Sequence, residues 1–170
     1  MALTMYQVSV PVLLRGLENL SAILAKGQAF AEAQGLNESE LTTAKLADDM
    51  FPLTRQIQIA SDAAKGAGAR LAGVEIPSFE DTEVTFADMQ ARVEKTIGFL
   101  KTLNEQQFEG AENKTVSFSN KGGSYTFNGK DFLFTFAFPN FFFHITTAYD
   151  ILRHKGVELG KKDYLGAYNA

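Results

Sequence analysis

At 170 residues, 45% of them hydrophobic and 21% charged, the chain has globular composition, and its length suits one domain burying roughly 70% of its unfolded surface. The net charge is −4 with both signs scattered, which excludes the basic stripe that nucleic-acid phosphates require. Cysteine is absent, so disulfides, thiolate nucleophiles and thiolate metal sites are excluded, and a cytoplasmic location is expected.

Thr4 reads as a helix N-cap, with Gln7 three residues on and Leu3 and Val8 placed to staple across it. No basic residue precedes Arg15, so the charged start of a signal peptide is missing. Val10, Leu13, Leu17, Leu20 and Leu24 recur at steps of three and four, the stripe of a helix over 5–34. Pro11 should kink its first turns, and Gly35 reads as the stop.

Asn37 and Glu40 repeat the capping signature, opening a second helix over 38–72. Leu46, Met50, Leu53, Ile57, Ala60, Ala64, Ala67 and Leu71 keep heptad spacing along it. Pro52 falls inside and predicts a kink or break near Asp48 and Asp49. The Ala- and Gly-rich second half lets a partner helix approach closely. Gly66-Ala67-Gly68 lacks the preceding strand and the Gly-Lys-Ser/Thr ending of a phosphate loop. Residues 73–84 read as a loop. Thr85 and Asp88 cap a third helix over 86–105, striped by Phe86, Met89, Val93, Ile97, Leu100 and Leu103, with Val84 and Met89 as the staple.

From residue 114 to 137 the period changes to two: Val116 and Phe118, Tyr125 and Phe127, then Phe132, Phe134 and Phe136. Gly122-Gly123 and Asn128-Gly129 read as turns, the latter as type I′. A β-hairpin or three-stranded meander is predicted there, before a last helix over 140–155 that Gly156 ends. Phe141, His144, Ile145, Ala148, Ile151 and Leu152 share its inner face. The phenylalanine-rich run before and after Pro139 is too short for a membrane span. The architecture so predicted is mainly α, an antiparallel four-helix bundle with a small β insertion before the last helix.

The stretch Asn140-Phe-Phe-Phe-His144-Ile-Thr-Thr-Ala148-Tyr149-Asp-Ile-Leu-Arg153-His-Lys-Gly156, continuing through Tyr164 to Gly166, resembles an uncharacterised bacterial family grouped with the DinB/YfiT-like four-helix bundles. The resemblance implies a bundle with a crossover connection, often a homodimer. It also implies a divalent metal held by three histidines in many members, some of which act on thiol cofactors.

Carried over position by position, His144 stands for the first histidine of the last helix, but Ala148 replaces the second. The second helix has no histidine, and Asp49 is its best substitute, ahead of Asp48. With two histidines in the chain, the metal candidates reduce to His144 and Asp49, too few for an ordinary zinc site. His144 reads otherwise as a buried, hydrogen-bonded imidazole or a group lining a ligand pocket near it. Asp150 and His154 have chelating i, i+4 spacing, but Arg153, His154 and Lys155 suit the dipole of a helix end.

The sequence identifies no catalytic or cofactor-binding residue, and no cofactor is expected apart from a divalent metal as the one candidate. The reading is a binding module for a small molecule or protein; the alternative is a metal-dependent transferase or hydrolase acting on a small thiol.

Overall fold

The computed structural model describes residues 3–120 and 122–167. Thr4 starts the first helix as its spacing predicts. Its hydroxyl accepts from the Gln7 amide, and the Gln7 side chain accepts from the Thr4 N–H in return. Leu3 is 76% exposed and Val84 66%, so neither predicted staple closes, and the capping boxes stand without them. Helix α1 (Met5–Gln34) continues through Pro11, and Gly35 ends it in the left-handed conformation.

The predicted second helix is divided. One turn, α2 (Ser39–Thr42), is followed by turns over residues 43–52, and α3 (Leu53–Ala72) begins anew with Pro52 as its N-cap. Proline has no N–H for a helix interior, but its fixed φ costs nothing at a helix start. Asp48 and Asp49 therefore lie outside any helix, Leu46 is half-exposed, and the buried stripe begins only at Leu53.

After the crossover of residues 73–85, Thr85 and Asp88 form the third capping box and α4 (Phe86–Lys101) follows. Two 3₁₀ turns lead into an antiparallel hairpin, β1 (Thr115–Asn120) and β2 (Gly123–Asn128), with Val116 opposite Phe127 and Phe118 opposite Tyr125.

The sheet stops there. Asn128 is a helix cap whose side chain accepts the Asp131 N–H at 2.8 Å. Gly129 is needed because a Cβ would run into the Ala111 carbonyl oxygen, not because a hairpin turns there. From Gly129 the chain is helical without interruption to His154: α5 (Gly129–Asp131), a wider π-helical turn (Phe132–Ala137), then α6 (Phe138–His154). The alternating phenylalanines are thus not a third strand. Phe132 and Phe136 stack at 6.1 Å, a helical i, i+4 contact, while Phe134 is half-exposed. Pro139 has no N–H for the Thr135 carbonyl and its ring would press on it; the wide turn just before it relieves both conflicts. A short helix, α7 (Lys161–Leu165), lies against α1, where the Asn19 amide donates to the Tyr164 carbonyl.

Side-chain pairs fix the directions of the four long helices. Gly16 faces Phe141 and Gly27 faces Leu152, so α1 and α6 run parallel. Ser61 meets Thr96 and Gly68 meets Leu100, so α3 and α4 also run parallel. Gln56 meets His144 and Leu71 lies beside Gly129, which makes α3 and α6 antiparallel; Ser21 with Gln90 and Gly27 with Phe86 do the same for α1 and α4. The result is an up-down-down-up bundle whose core is the four predicted stripes, each carrying residues at 0% exposure. Helix α1 is long and apolar enough to cross a membrane by length and composition alone. Its stripe from Val10 to Leu24 is buried in this core.

Parallel α3 and α4 require a crossover, and Arg92 holds it. Its guanidinium, 1% exposed, pairs with Asp62 and Asp81 at 2.9 Å and Glu83 at 3.0 Å, and donates to the Glu80 carbonyl. Arg55 also pairs with Asp81, and Gln58 donates to Glu83.

Leu53→Ala should cost about 2–5 kcal/mol through the cavity left in the core, measured by urea unfolding; a loss under about 1 kcal/mol would contradict this packing. Arg92→Met should lower stability in urea unfolding, chiefly by leaving the nearly buried Glu83 carboxylate unpaired while Asp62 and Asp81 stay solvated, and the crossover of residues 79–84 should become cleavable by protease under native conditions.

Candidate functional site

His144 lies on the buried face of α6, and antiparallel packing places Gln56 of α3 opposite it. The imidazole Nδ1 and the Gln56 Oε1 are 2.6 Å apart, with both residues buried. The Gln56 Nε2 donates to the Phe51 carbonyl at 3.0 Å, which leaves its oxygen to face the ring. That oxygen can only accept, so the imidazole carries its proton on Nδ1. Burial, aided by the positive charge of nearby Arg55, lowers the His144 pKa to about 4, so the ring is neutral at physiological pH. The edge of the Phe143 ring meets His144, with Phe143 itself 58% exposed.

Phe51 and Arg55, which flank this pair, form one end of a groove of about 640 Å³. It runs along α3 past Ile59, Asp62 and Ala63 to Arg70 and is walled opposite by Phe118 and Tyr125 of the hairpin and Phe132, Phe136 and Ala137 of the π-turn. The rings form one stack, with Phe118 and Phe136 centred 4.8 Å apart and Phe118 and Tyr125 5.4 Å apart. A second cavity of about 770 Å³, between the start of α1 and the 3₁₀ turns, is rimmed by Glu105, Glu109 and Glu112. A third of about 520 Å³ sits over the crossover beside Phe79, Arg92 and Lys95, and the Arg92 guanidinium is already engaged by carboxylates, the Ser61 hydroxyl and the Glu80 carbonyl.

A family profile described as a domain of unknown function (DUF1993) matches residues 5–165. The chain belongs to the DUF1993 family. It is also similar to a DinB family member protein from Shewanella denitrificans. That crystal structure matches with a TM-score of 0.90 at 41% identity, covering 98% of this chain and 94% of that one. The bundle is accordingly DinB-like. No curated protein matches the chain.

The metal ion implied by the DinB resemblance needs donors that this DUF1993 chain does not gather. The His144 Nδ1–H is held by the Gln56 carbonyl oxygen, which leaves Nε2 as the one imidazole donor, and Ala148 occupies the next turn where a second would stand. Asp49 is exposed in the turn before α3, with no hydrogen bond or ion pair to His144. Among the described residues, no group of three or more His, Cys, Asp and Glu side chains is placed to hold a metal. Asp150 and His154 are both exposed. Tyr149 and Tyr164 pack edge to face on each other at 6.2 Å.

The residues of the candidate site missed at sequence level are Gln56 and Arg70. Gln56 was findable, since a polar residue three after Leu53 and four before Ala60 falls on the inner stripe, opposite a lone histidine. Arg70 carries no such signal.

The depressed His144 pKa has a defined sign. Above pH 6.5, its ordinary value, neither folded nor unfolded chain protonates the ring and its full contribution to stability is present. Between 6.5 and about 4 the unfolded chain takes up a proton that the fold refuses, so stability falls by up to about 1.4 kcal/mol per pH unit and about 3 kcal/mol in all. Urea titrations at pH 7.5, 6 and 5 should show this slope in the wild type and lose it in His144→Asn, which keeps an N–H for Gln56. Equal slopes in the two proteins would place the proton uptake elsewhere.

Proposed function

We propose that this protein is a DinB-like binding module that holds a small organic molecule in the α3 groove and works without a metal ion. The observation that carries the reading is the lack of companion donors around the buried His144: among the described residues no group of three or more His, Cys, Asp and Glu side chains could hold a metal, and the side chain that meets the ring is a carboxamide, Gln56. A groove of about 640 Å³ adjoins that pair, within the size range of small-molecule sites and lined, as they are, mainly by apolar groups with a few polar ones. Among the described residues along it no nucleophile is paired with a base, so its lining suits binding.

Two measurements on protein purified without a histidine tag test this. Metal analysis should find zinc, nickel and iron well below stoichiometric. Amide spectra of ¹⁵N-labelled protein titrated with a fragment library should shift at Arg55, Ile59, Ala63 and Arg70, and Ala63→Phe, which fills the groove, should abolish the shifts. A stoichiometric metal lost in His144→Ala with the helical signal intact would overturn the reading in favour of a metal-dependent transferase or hydrolase acting on a small thiol. Fragment shifts confined to other surfaces would overturn it as well.

A further inference from the structure

Among the described residues, the groove holds one cation without a carboxylate partner. Arg55 is paired with Asp81, and Asp62 is paired with both Arg92 and Lys65. Arg70 is different. Among the described residues its guanidinium has no carboxylate partner and no hydrogen-bond acceptor, although it is half-buried and burial lowers its pKa. Its contacts are aromatic: the guanidinium carbon lies 4.9 Å from the Phe118 ring centre and 6.0 Å from that of Phe132. Such contacts engage the face of the guanidinium. They leave unused the five N–H donors along its edges, the part that recognises carboxylates in a fork.

The position of Arg70 is set by its own helix. Gly66, one turn earlier, has no side chain where the Arg70 Nη1 sits, so the guanidinium lies back along α3 instead of reaching into solvent. Beside it stands the Phe118, Tyr125, Phe132 and Phe136 stack, with the small side chain of Ala63 across the groove. A flat apolar body can lie against these rings while an anionic group meets the free edge of Arg70.

Building on the groove reading above, we propose that the ligand is an aromatic carboxylate. Its carboxylate takes the Arg70 N–H fork, and its ring system lies on the Phe118–Phe136 stack. Arg70 is the residue that sets the preference for a negative charge, and the hairpin and π-turn supply the aromatic surface.

Isothermal titration with 2-naphthoate and its uncharged analogue 2-naphthylmethanol tests the charge and the ring separately. The wild type should bind 2-naphthoate more tightly. Arg70→Met, which keeps the apolar stem, should weaken 2-naphthoate by about tenfold or more, about 1.4 kcal/mol, and leave 2-naphthylmethanol unchanged. Arg70→Lys, which keeps the charge without the fork, should fall between. The Tm of Arg70→Met should drop only slightly, because the side chain gives up its ring contacts but makes no hydrogen bond among the described residues.

Equal binding of 2-naphthoate by the wild type and Arg70→Met would overturn the proposal, as would tighter binding of the alcohol by the wild type. Both results leave the groove itself in place as a site for a neutral ligand. Binding of neither compound at millimolar concentration would also overturn the aromatic-carboxylate assignment, while the fragment titration decides independently whether the groove binds anything. The comparison of anion and alcohol on the wild type stands whether or not the variants fold.

Discussion

The topology depends on one buried charge. No residue of the crossover, 73–85, is buried, so hydrophobic burial does little to hold this segment along the bundle. The guanidinium of Arg92, on α4, does. It reaches a carboxylate on α3 and two on the crossover. Removing such a group from water is costly, and only a chain path that presents these carboxylates offsets it. A connection that let α4 run antiparallel to α3 would leave the guanidinium without its crossover partners. The ion network thus contributes less to raw stability than to the choice of an up-down-down-up arrangement, and that arrangement brings α6 against α3 and creates the site.

Much of this was legible in the chain. The capping boxes at Thr4 and Thr85 and the four apolar stripes are local, short-range statements about helix termini and faces, and they survive folding because the core uses those same faces. The failures share a cause: each residue was read for its usual effect without the neighbour that decides it. Pro52 within a heptad pattern suggests a kink, yet with only polar and half-exposed residues before it the cheaper outcome is a fresh start at Leu53. Asn128-Gly129 has the chemistry of a type I′ turn, but the same asparagine is as good a helix cap. What requires the glycine is the Ala111 carbonyl, 18 positions earlier in the chain. Phe132, Phe134 and Phe136 satisfy period two by coincidence with a helix in which every face carries phenylalanine.

The site was half legible. A lone histidine on an apolar stripe announces a buried polar contact, and His144 has one. Its partner could have been sought at Gln56, the polar residue on the inner stripe of α3. The groove could not have been found this way. Its walls come from α3, the hairpin and the π-turn, and the state of Arg70 depends on which carboxylates are already engaged by Arg55, Arg92 and Lys65. Charge pairing of that kind is a property of the whole surface and leaves no trace in spacing.

The wide turn at Phe132–Ala137 has a consequence for how the last helix is phased. One surplus residue in a helix rotates everything beyond it by about 100° relative to everything before it. The turn itself can therefore aim Phe132 and Phe136 at the hairpin while, beyond it, Phe141, His144 and Ala148 aim into the bundle, along a single uninterrupted helix. The two faces are angularly uncoupled at that point. Sequence drift on the hairpin side can reshape the aromatic wall while the register of the four-helix core stays fixed, whereas losing one residue from the turn would swing the wall out of line with α3.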